Sequence, residues 1–118
     1  MMDRRILLVG EDFHLLASRA ALLSKTGARV TCCNTAEFAD HLGTEKYALV
    51  VLCHSLRQDV GSGIAGEAHK RWPTIRVLQV VSTYNRPAHL PAGVDGSTPA
   101  DPGKVLEHVI ELLRPSMA

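Results

Sequence analysis

The chain has 118 residues, of which 46% are hydrophobic and 21% charged, a balance typical of a compact globular domain. Thirteen basic and 12 acidic residues leave a net charge of +1 without a long basic run, so no direct nucleic acid or membrane partner is expected. No apolar run approaches the roughly 18 residues of a membrane-spanning helix, and no signal peptide is recognisable. The three cysteines, two of them adjacent, favour reduced thiols. We therefore expect a cytoplasmic protein of one domain, residues 1–118.

Strands and helices are predicted to alternate along the chain. Short apolar runs predict strands over residues 6–9, 28–33, 47–53 and 75–81. Helical spacing and capping residues predict helices from Asp12 to Lys25, Asn34 to Leu42, Ile64 to Trp72 and Asp101 to Pro115. Residues 54–63 are predicted as a polar loop, and residues 82–96, rich in Pro and Gly, hold at most a short helix and a short strand near Val94.

This alternation predicts an α/β fold, in which a parallel sheet carries helices on both faces. In such folds the functional loops lie at the carboxyl ends of the strands, close to the point where the strand order reverses. The candidate site residues are therefore those that directly follow the first, third and fourth strands, which are residues 10–12, 53–55 and 81–83.

The order and spacing of these segments resemble a response-regulator receiver domain of bacterial two-component signalling. The resemblance rests on residues 6–12 (ILLVGED), 47–56 (YALVVLCHSL) with Gly61, 72–77 (WPTIRV), 92–96 (AGVDG) and the final helix that starts at Asp101-Pro102. It implies a flavodoxin-like (CheY-like), doubly wound sheet of five parallel strands in the order 2-1-3-4-5. The helix between the fourth and fifth strands is predicted to be shortened or irregular, because residues 81–92 form a shorter segment than that helix requires.

The resemblance also implies a set of reactive residues, from which this sequence departs. Receiver domains use an aspartate after the third strand as phosphoacceptor, an acidic pair that holds Mg²⁺, a hydroxyl residue after the fourth strand and a Lys-Pro after the fifth. Carboxylates suit a hard cation, and the Lys and hydroxyl orient the phosphoryl oxygens. The corresponding residues here are Gly10 and Glu11, followed by Asp12, at the acidic pair, Cys53 at the phosphoacceptor, Val81 or Ser82 at the hydroxyl, and Thr98-Pro99 at Lys-Pro.

These departures predict an atypical receiver, or pseudo-receiver. The acidic pocket is reduced to Glu11 and Asp12, so we expect no metal site, no cofactor, doubtful Mg²⁺ binding and no enzymatic activity. Phosphorylation on aspartate is not expected, the remaining acceptors being Asp59 or Asp12. The resemblance implies signalling through a protein partner (a histidine kinase, an output domain or another regulator) and a possible homodimer through residues 82–113.

Alternative interpretations centre on Cys53. A thiol at a strand end beside a helix can be reactive, so a redox- or ligand-responsive module of the same fold is the second hypothesis. A soft metal site built from Cys53, His54, Glu11 and His14 is a weaker one, because the spacing matches no zinc pattern. Arg57 lies only four residues after Cys53, which is too close for the loop of a cysteine phosphatase, and the loop at residues 61–63 lacks the lysine of a phosphate-binding loop.

Overall fold

The computed structural model describes residues 4–42, 46–53, 58–81 and 92–113, with only the backbone described at Gln58. Strands and helices alternate along these segments. The strands are β1 (Arg5–Val9), β2 (Arg29–Cys33), β3 (Leu49–Leu52), β4 (Arg76–Val81) and β5 (Gly96–Pro99). The α-helices are α1 (Phe13–Leu23), α2 (Phe38–His41), α3 (Gln58–Arg71) and α4 (Pro102–Leu113), and a 3₁₀ turn (Ser24–Thr26) extends α1.

The five strands form one parallel sheet in the order β2-β1-β3-β4-β5, which confirms the predicted fold and strand order. The register places Leu8 of β1 between Cys32 of β2 and Val51 of β3, and Val51 in turn pairs with Leu78 of β4. The order reverses between β1 and β3, so the carboxyl ends of these two strands border the crevice in which such folds place their functional residues.

Each face of the sheet carries its own buried layer, because side chains alternate between the two faces along every strand. One layer packs α1 and α4 against the sheet, with Leu16, Leu23, Val105 and Val109 as its helical members. The other packs α2 and α3, and the edge-to-face pair of Tyr47 and Trp72, whose ring centroids are 5.4 Å apart, belongs to it. The three central strands, β1, β3 and β4, are mostly apolar on both sides because both faces of the sheet are covered.

The prediction of a polar loop over residues 54–63 is wrong in its second half, because α3 already begins at Gln58. Three glycines in α3 lower its helix propensity, which is why the sequence favoured a loop. At Gly61 the helix lies close to the sheet, because a Cβ there would lie 3.3 Å from Oε1 of the buried Gln79 and 3.5 Å from Leu52. A residue without a side chain is thus what allows the first turn of α3 to approach the sheet.

Other predicted boundaries also shift. The fifth strand covers Gly96–Pro99 rather than the neighbourhood of Val94, since the turn before it contains Gly93 at φ +86°. The second helix is shorter than predicted, although its capping box is present: Asn34 Oδ1 accepts from the Glu37 amide at 2.8 Å, and Glu37 Oε1 accepts from the Asn34 amide at 3.0 Å. The irregular helix predicted after the fourth strand and the switch candidate Ser82 lie outside the described residues.

None of the helices in the described parts of the chain is long and apolar enough to cross a lipid bilayer.

Candidate functional site

The candidate site lies at the carboxyl ends of β1 and β3, where Gly10 and Cys53 stand side by side. Strand pairing continues into both residues: the Gly10 amide donates to the Cys33 carbonyl at 3.1 Å, and the Cys53 amide donates to the Val9 carbonyl at 2.9 Å. These hydrogen bonds hold the two residues in the register of the sheet. The structure therefore brings together the two residues that the sequence placed at the acidic pair and the phosphoacceptor.

Gly10 leaves no room for a side chain. A Cβ built on it would lie 3.0 Å from the Cys53 Cβ, 3.1 Å from the Cys53 Sγ and 3.3 Å from Leu16 Cδ2. Carbon atoms in comfortable contact are about 3.5–4.0 Å apart. The space that an acidic side chain would need is thus filled by Cys53 and by a core leucine from α1, which packs this part of the crevice like the rest of the apolar layer.

The two remaining acidic residues, Glu11 and Asp12, both cap backbone amides. Glu11 Oε1 accepts a hydrogen bond from the Thr35 amide at 3.1 Å, which ties the end of β1 to the turn before α2. Asp12 Oδ1 accepts from the Leu15 amide at 3.1 Å and is the N-cap of α1. Each carboxylate therefore directs an oxygen to a neighbouring helix start or turn.

Cys53 is only 1% exposed and lies in the layer beneath α1 and α4. Burial is the main cause that raises the pKa of its thiol above the ordinary value, and the charge of Asp12 raises it further. A hydrogen bond and the positive charge from Arg19 of α1 act in the opposite direction. Burial outweighs Arg19, so the thiol stays protonated at neutral pH, and this favours a packing role over a nucleophilic one.

The other two cysteines lie on opposite sides of β2, as strand alternation predicted. Cys33 is buried in the layer beneath α2 and α3, and burial, followed by the charges of Glu37, Cys32 and Glu11, raises its pKa to about 12. Cys32 is exposed, and its Sγ donates weakly to the Leu16 carbonyl at 3.8 Å. Burial and the neighbouring Cys53 raise the pKa of Cys32 as well. All three thiols are free.

The two predicted switch positions that the structure describes, Val81 at the end of β4 and Thr98 within β5, are buried. Val81 is 7% exposed and pairs with Pro99, whereas Thr98 is 1% exposed and pairs with Val80. Among the described residues, nothing is close enough to hydrogen-bond the Thr98 Oγ1. The position that a lysine occupies in the resembling family is thus filled by a short side chain enclosed in the sheet edge.

Gln79 is a site residue that the sequence analysis missed. Its Nε2 donates to the carbonyls of Leu52 and Cys53, each at 3.2 Å, and to its own neighbour Val80 at 2.8 Å. The amide thus fastens the end of β3 to β4, at the point where the chain leaves the sheet. The signal in the sequence was a single amide inside an otherwise apolar strand, since a buried polar group requires partners.

Arg19 was missed as well. It lies on the buried face of α1 between Leu16 and Leu23, a spacing of three and four residues that places all three on one side of the helix. Arg19 is 6% exposed, and its side chain hydrogen-bonds Cys53. A cation in the middle of an apolar helical face was the signal that could have identified it.

Among the residues that the structure describes, no group of three His, Cys, Asp or Glu side chains is placed to hold a metal ion. Glu11 and His14 are both exposed, while Cys53 is buried, and His54 falls outside the described segments. The structure therefore brings together the candidate phosphoacceptor and the residual acidic residues but does not form a ligand set from them.

Solved structures provide the comparison, since no family model matches the chain and no curated protein is detectably similar. The receiver domain protein of Methanospirillum hungatei JF-1 is 24% identical, with 93% of each chain covered and a TM-score of 0.76. The activated DrrB receiver domain is 22% identical, covering 95% of this chain and 98% of that one, with a TM-score of 0.77.

A chain in the complex of histidine kinase ThkA with response regulator protein TrrA is similar too. It is 19% identical, 94% of this chain and 99% of that one are covered, and the TM-score is 0.77. At these identities the likeness concerns the backbone rather than the reactive residues. The chain has the fold of a response-regulator receiver domain.

Proposed function

We propose that the chain is an atypical receiver domain, residues 1–118, of a two-component or phosphorelay system, which signals by protein contact and is not phosphorylated on aspartate. The observation that carries this proposal is the packing of Cys53 against Gly10, at 3.0 Å from a Cβ built there. Where receiver domains have a carboxylate and a cation pocket, this chain has a cysteine packed against a glycine. Neither Gly10 nor Cys53 offers a carboxylate oxygen that could act as nucleophile or as ligand of a divalent cation.

The surroundings of Cys53 support the same conclusion. Glu11 and Asp12 cap the turn before α2 and the start of α1, so binding Mg²⁺ would compete with these hydrogen bonds. Thr98, in place of a lysine, carries no charge to neutralise a phosphoryl group. A domain of this kind transmits information through the surface it offers to a partner rather than through phosphoryl chemistry.

The proposal is tested by incubating the protein with acetyl phosphate and Mg²⁺ and measuring the intact mass. We expect no added phosphoryl group, including none that hydroxylamine removes, as it removes acyl phosphates. Asp12→Asn and Asp59→Asn serve as matched variants, because these two aspartates are the remaining acceptor candidates. A phosphoryl group mapped to an acidic residue and lost in one of these variants would contradict the proposal.

The second hypothesis, a redox-responsive module that uses Cys53, has less support. The thiol is buried, and its pKa is raised rather than lowered, whereas reactive cysteines are exposed thiolates. Its alkylation by iodoacetamide between pH 6 and 9 should therefore be slower than that of the exposed Cys32. Faster alkylation of Cys53 than of Cys32 would revive the redox hypothesis.

A histidine kinase, an output domain or another regulator is the partner class that we propose, in a cytoplasmic setting and with no enzymatic activity of the domain itself. The complex of ThkA with TrrA supports a kinase as partner, because it joins a protein of this fold to a histidine kinase. Direct contact with nucleic acid or a membrane is not part of the proposal, since the net charge is only +1.

A homodimer through residues 82–113 is the second part of the partner proposal. In the described part of that region, α4 exposes Ile110 (41%) beside a groove of about 610 Å³, which Thr98, Lys104 and His108 help to line. An exposed apolar side chain within a polar rim is a common feature of contact surfaces.

Ile110→Asp tests the dimer, with Phe13→Asp as its matched control. Phe13 is 78% exposed on α1, so the control removes a comparable apolar side chain from a different face. Sedimentation of the wild-type chain over a concentration series should show association that Ile110→Asp abolishes and Phe13→Asp retains. A chain that stays monomeric at every concentration would remove the dimer from the proposal.

A further inference from the structure

The turn that leads into β5, residues 92–95, lies against one face of α3. Ser62 Oγ donates a hydrogen bond to the Ala92 carbonyl at 3.2 Å, and His69 Nε2 lies 2.8 Å from the Gly93 carbonyl oxygen. Ser62 and His69 are seven residues apart, which is about two turns of a helix, so they lie on the same side of α3. Both side chains thus bind the backbone of the turn.

The backbone of Gly93 makes this close approach possible. Its φ is +86°, a left-handed conformation that glycine adopts without strain, and a Cβ on it would lie 3.1 Å from the Ala65 Cβ. Ala65 lies between Ser62 and His69 on α3, at a spacing of three and four residues, so it belongs to the same side of the helix. Val94 packs against the buried layer beneath α2 and α3. The turn and α3 are therefore in contact along about two turns of the helix.

The partners of His69 determine which of its ring nitrogens carries a proton. Nε2 lies 2.8 Å from the Gly93 carbonyl oxygen and 3.3 Å from Oδ2 of Asp95. A carbonyl oxygen only accepts, and the Asp95 oxygen already accepts from the Val77 amide at 2.7 Å. Nε2 must therefore carry a proton to bond either group, in the neutral ring as well as in the imidazolium. The shorter contact makes Gly93 the main acceptor.

Asp95 connects this contact to the sheet. Its amide donates to the Val77 carbonyl at 2.8 Å, and its carboxylate accepts from the Val77 amide, so both hydrogen bonds join the turn to β4. β5 follows directly and has four residues, paired with β4 at the edge of the sheet. A strand this short has few hydrogen bonds to its neighbour, so its position depends on how the turn before it is held.

We propose that His69 is a positioning residue: its Nε2–H holds the turn of residues 92–95 on α3, and β5 becomes mobile when that hydrogen bond is lost, while the core of the sheet stays packed. The contact lies near the surface, since the side chains of His69 and Asp95 are 30% and 39% exposed, so water can replace it without exposing the apolar layers. Segments held by such exposed hydrogen bonds open at a lower free energy than the core.

The same helix is close to the candidate site at its other end. Gly61, in the first turn of α3, lies close to Gln79, whose amide donates to the Cys53 carbonyl, whereas His69 lies in the last turn. The His69 contact thus makes the position of β5 follow that of α3. β5 in turn lines the groove beside Ile110 that we propose as a dimer surface. The consequence for a partner rests on the proposed function, whereas the contact itself does not.

His69→Phe and His69→Gln separate the ring from its donor. Phenylalanine keeps an aromatic ring without an N–H, whereas the amide of glutamine supplies an N–H at a similar reach. Lys70→Ala is the matched control, because Lys70 is the next residue of α3 and is exposed. The measurement is ¹⁵N relaxation of the backbone amides, on dilute protein without a phosphodonor, so that neither dimerisation nor phosphorylation affects the outcome.

In the wild-type chain, residues 93–98 should have order parameters of about 0.85, the value of rigid backbone. We expect these order parameters to fall below about 0.6 in His69→Phe, the range of flexible backbone, while those of β1 and β3 stay unchanged. His69→Gln should restore the wild-type values, and Lys70→Ala should retain them. Wild-type values in His69→Phe, an equal loss in β1 and β3 or in Lys70→Ala, or a loss in His69→Gln as large as in His69→Phe would each overturn the proposal.

The tautomer of His69 provides a second test, on the wild-type chain. Long-range ¹H–¹⁵N spectra distinguish the two ring nitrogens, and in the neutral form of the ring we expect the proton on Nε2. A neutral ring protonated on Nδ1 would overturn the proposal, because Nε2 could then donate to neither Gly93 nor Asp95.

Discussion

Gly10 and Cys53 are packed so closely that a Cβ on the glycine would lie 3.0 Å from the Cβ of the cysteine. Backbone hydrogen bonds hold both residues in the sheet, Gly10 to Cys33 and Cys53 to Val9. Neither residue can therefore move without breaking hydrogen bonds between strands. The close packing joins the two residues on which the proposal of an atypical receiver rests: because Gly10 has no side chain, Cys53 and Leu16 occupy the space beside it.

Gly10→Ala should therefore destabilise the fold by about 1–3 kcal/mol, since an added methyl group is forced into a filled contact. Gly63→Ala is the control, because a Cβ at that position meets nothing within 4 Å and lies in the middle of α3. It should stabilise the protein by up to about 1 kcal/mol through better helix propensity. Urea unfolding measures both values, and equal effects would show that the crowding at Gly10 has been overestimated.

An aspartate at position 53 should not by itself make the domain accept a phosphoryl group. Cys53→Asp supplies a carboxylate, but Gly10 remains without one, and Thr98 remains in place of a lysine. The new carboxylate would form an ion pair with the buried Arg19 rather than bind a cation. Intact mass after treatment with acetyl phosphate and Mg²⁺ should match that of Cys53→Ser, and a Mg²⁺-dependent phosphoryl group on residue 53 would show that the pocket is still functional.

The first four strands were predictable from the sequence because they are short runs of apolar or β-branched residues that differ from the helical segments around them. The boundaries of α3 and β5 were not predictable. Glycines such as Gly61, Gly63 and Gly93 indicate turns in a sequence unless the residues that pack against them in the fold are known. At Gly61 the helix lies so close to the sheet that a Cβ would come within 3.3 Å of Gln79 Oε1, and this approach joins residues far apart in the chain.

The location of the candidate site was predictable from the sequence, but the side-chain contacts within it were not. Register alone brings Gly10 and Cys53 together, since parallel strands end at one edge of the sheet. The roles of Arg19 and Gln79 depend on which way a side chain turns within a packed layer, and a spacing pattern does not determine that. From the sequence, Arg19 and Gln79 could have been identified only as polar residues within apolar segments.

The three thiols predict that stability falls at alkaline pH. Cys33 has an ordinary pKa of 9.0 and a folded pKa of about 12, so above pH 9 the unfolded chain releases this proton first. This thiol then lowers the free energy of unfolding by about 1.4 kcal/mol per pH unit, until it also ionises in the folded state near pH 12. Below pH 9 the contribution is fully present.

Urea unfolding from pH 8 to 10.5 measures this loss. Cys33→Ser should flatten the alkaline slope by about 1.4 kcal/mol per pH unit relative to the wild-type chain. Cys32→Ser is the matched control and should flatten it less, because Cys32 is exposed. Identical slopes in the wild-type chain and Cys33→Ser would mean that the thiol ionises as readily in the folded state as in the unfolded one.

Gln79 should stabilise the fold through the hydrogen bonds of its amide group as well as through packing. Replacing it with Met keeps the volume but removes the donor to the Leu52 and Cys53 carbonyls, and should cost about 1–3 kcal/mol. Gln79→Glu should cost more, because it turns a carboxylate oxygen towards carbonyl oxygens. The predicted order of stability, wild type above Gln79→Met above Gln79→Glu, is checked by thermal unfolding at pH 7. A Glu variant as stable as the wild type would contradict the donor role.

Thr98 allows the opposite experiment, in which a substitution is expected to stabilise the fold. Its hydroxyl is fully buried and, within the described segments, has no hydrogen-bond partner, so the molecule bears a desolvation penalty for it. Thr98→Val replaces the hydroxyl with a methyl group of similar shape and should raise the free energy of unfolding by about 1 kcal/mol. Thr31→Val, at a half-buried position in β2, is the control and should change it by less than about 0.5 kcal/mol. A Thr98→Val variant less stable than the wild type would show that the hydroxyl is hydrogen-bonded in solution.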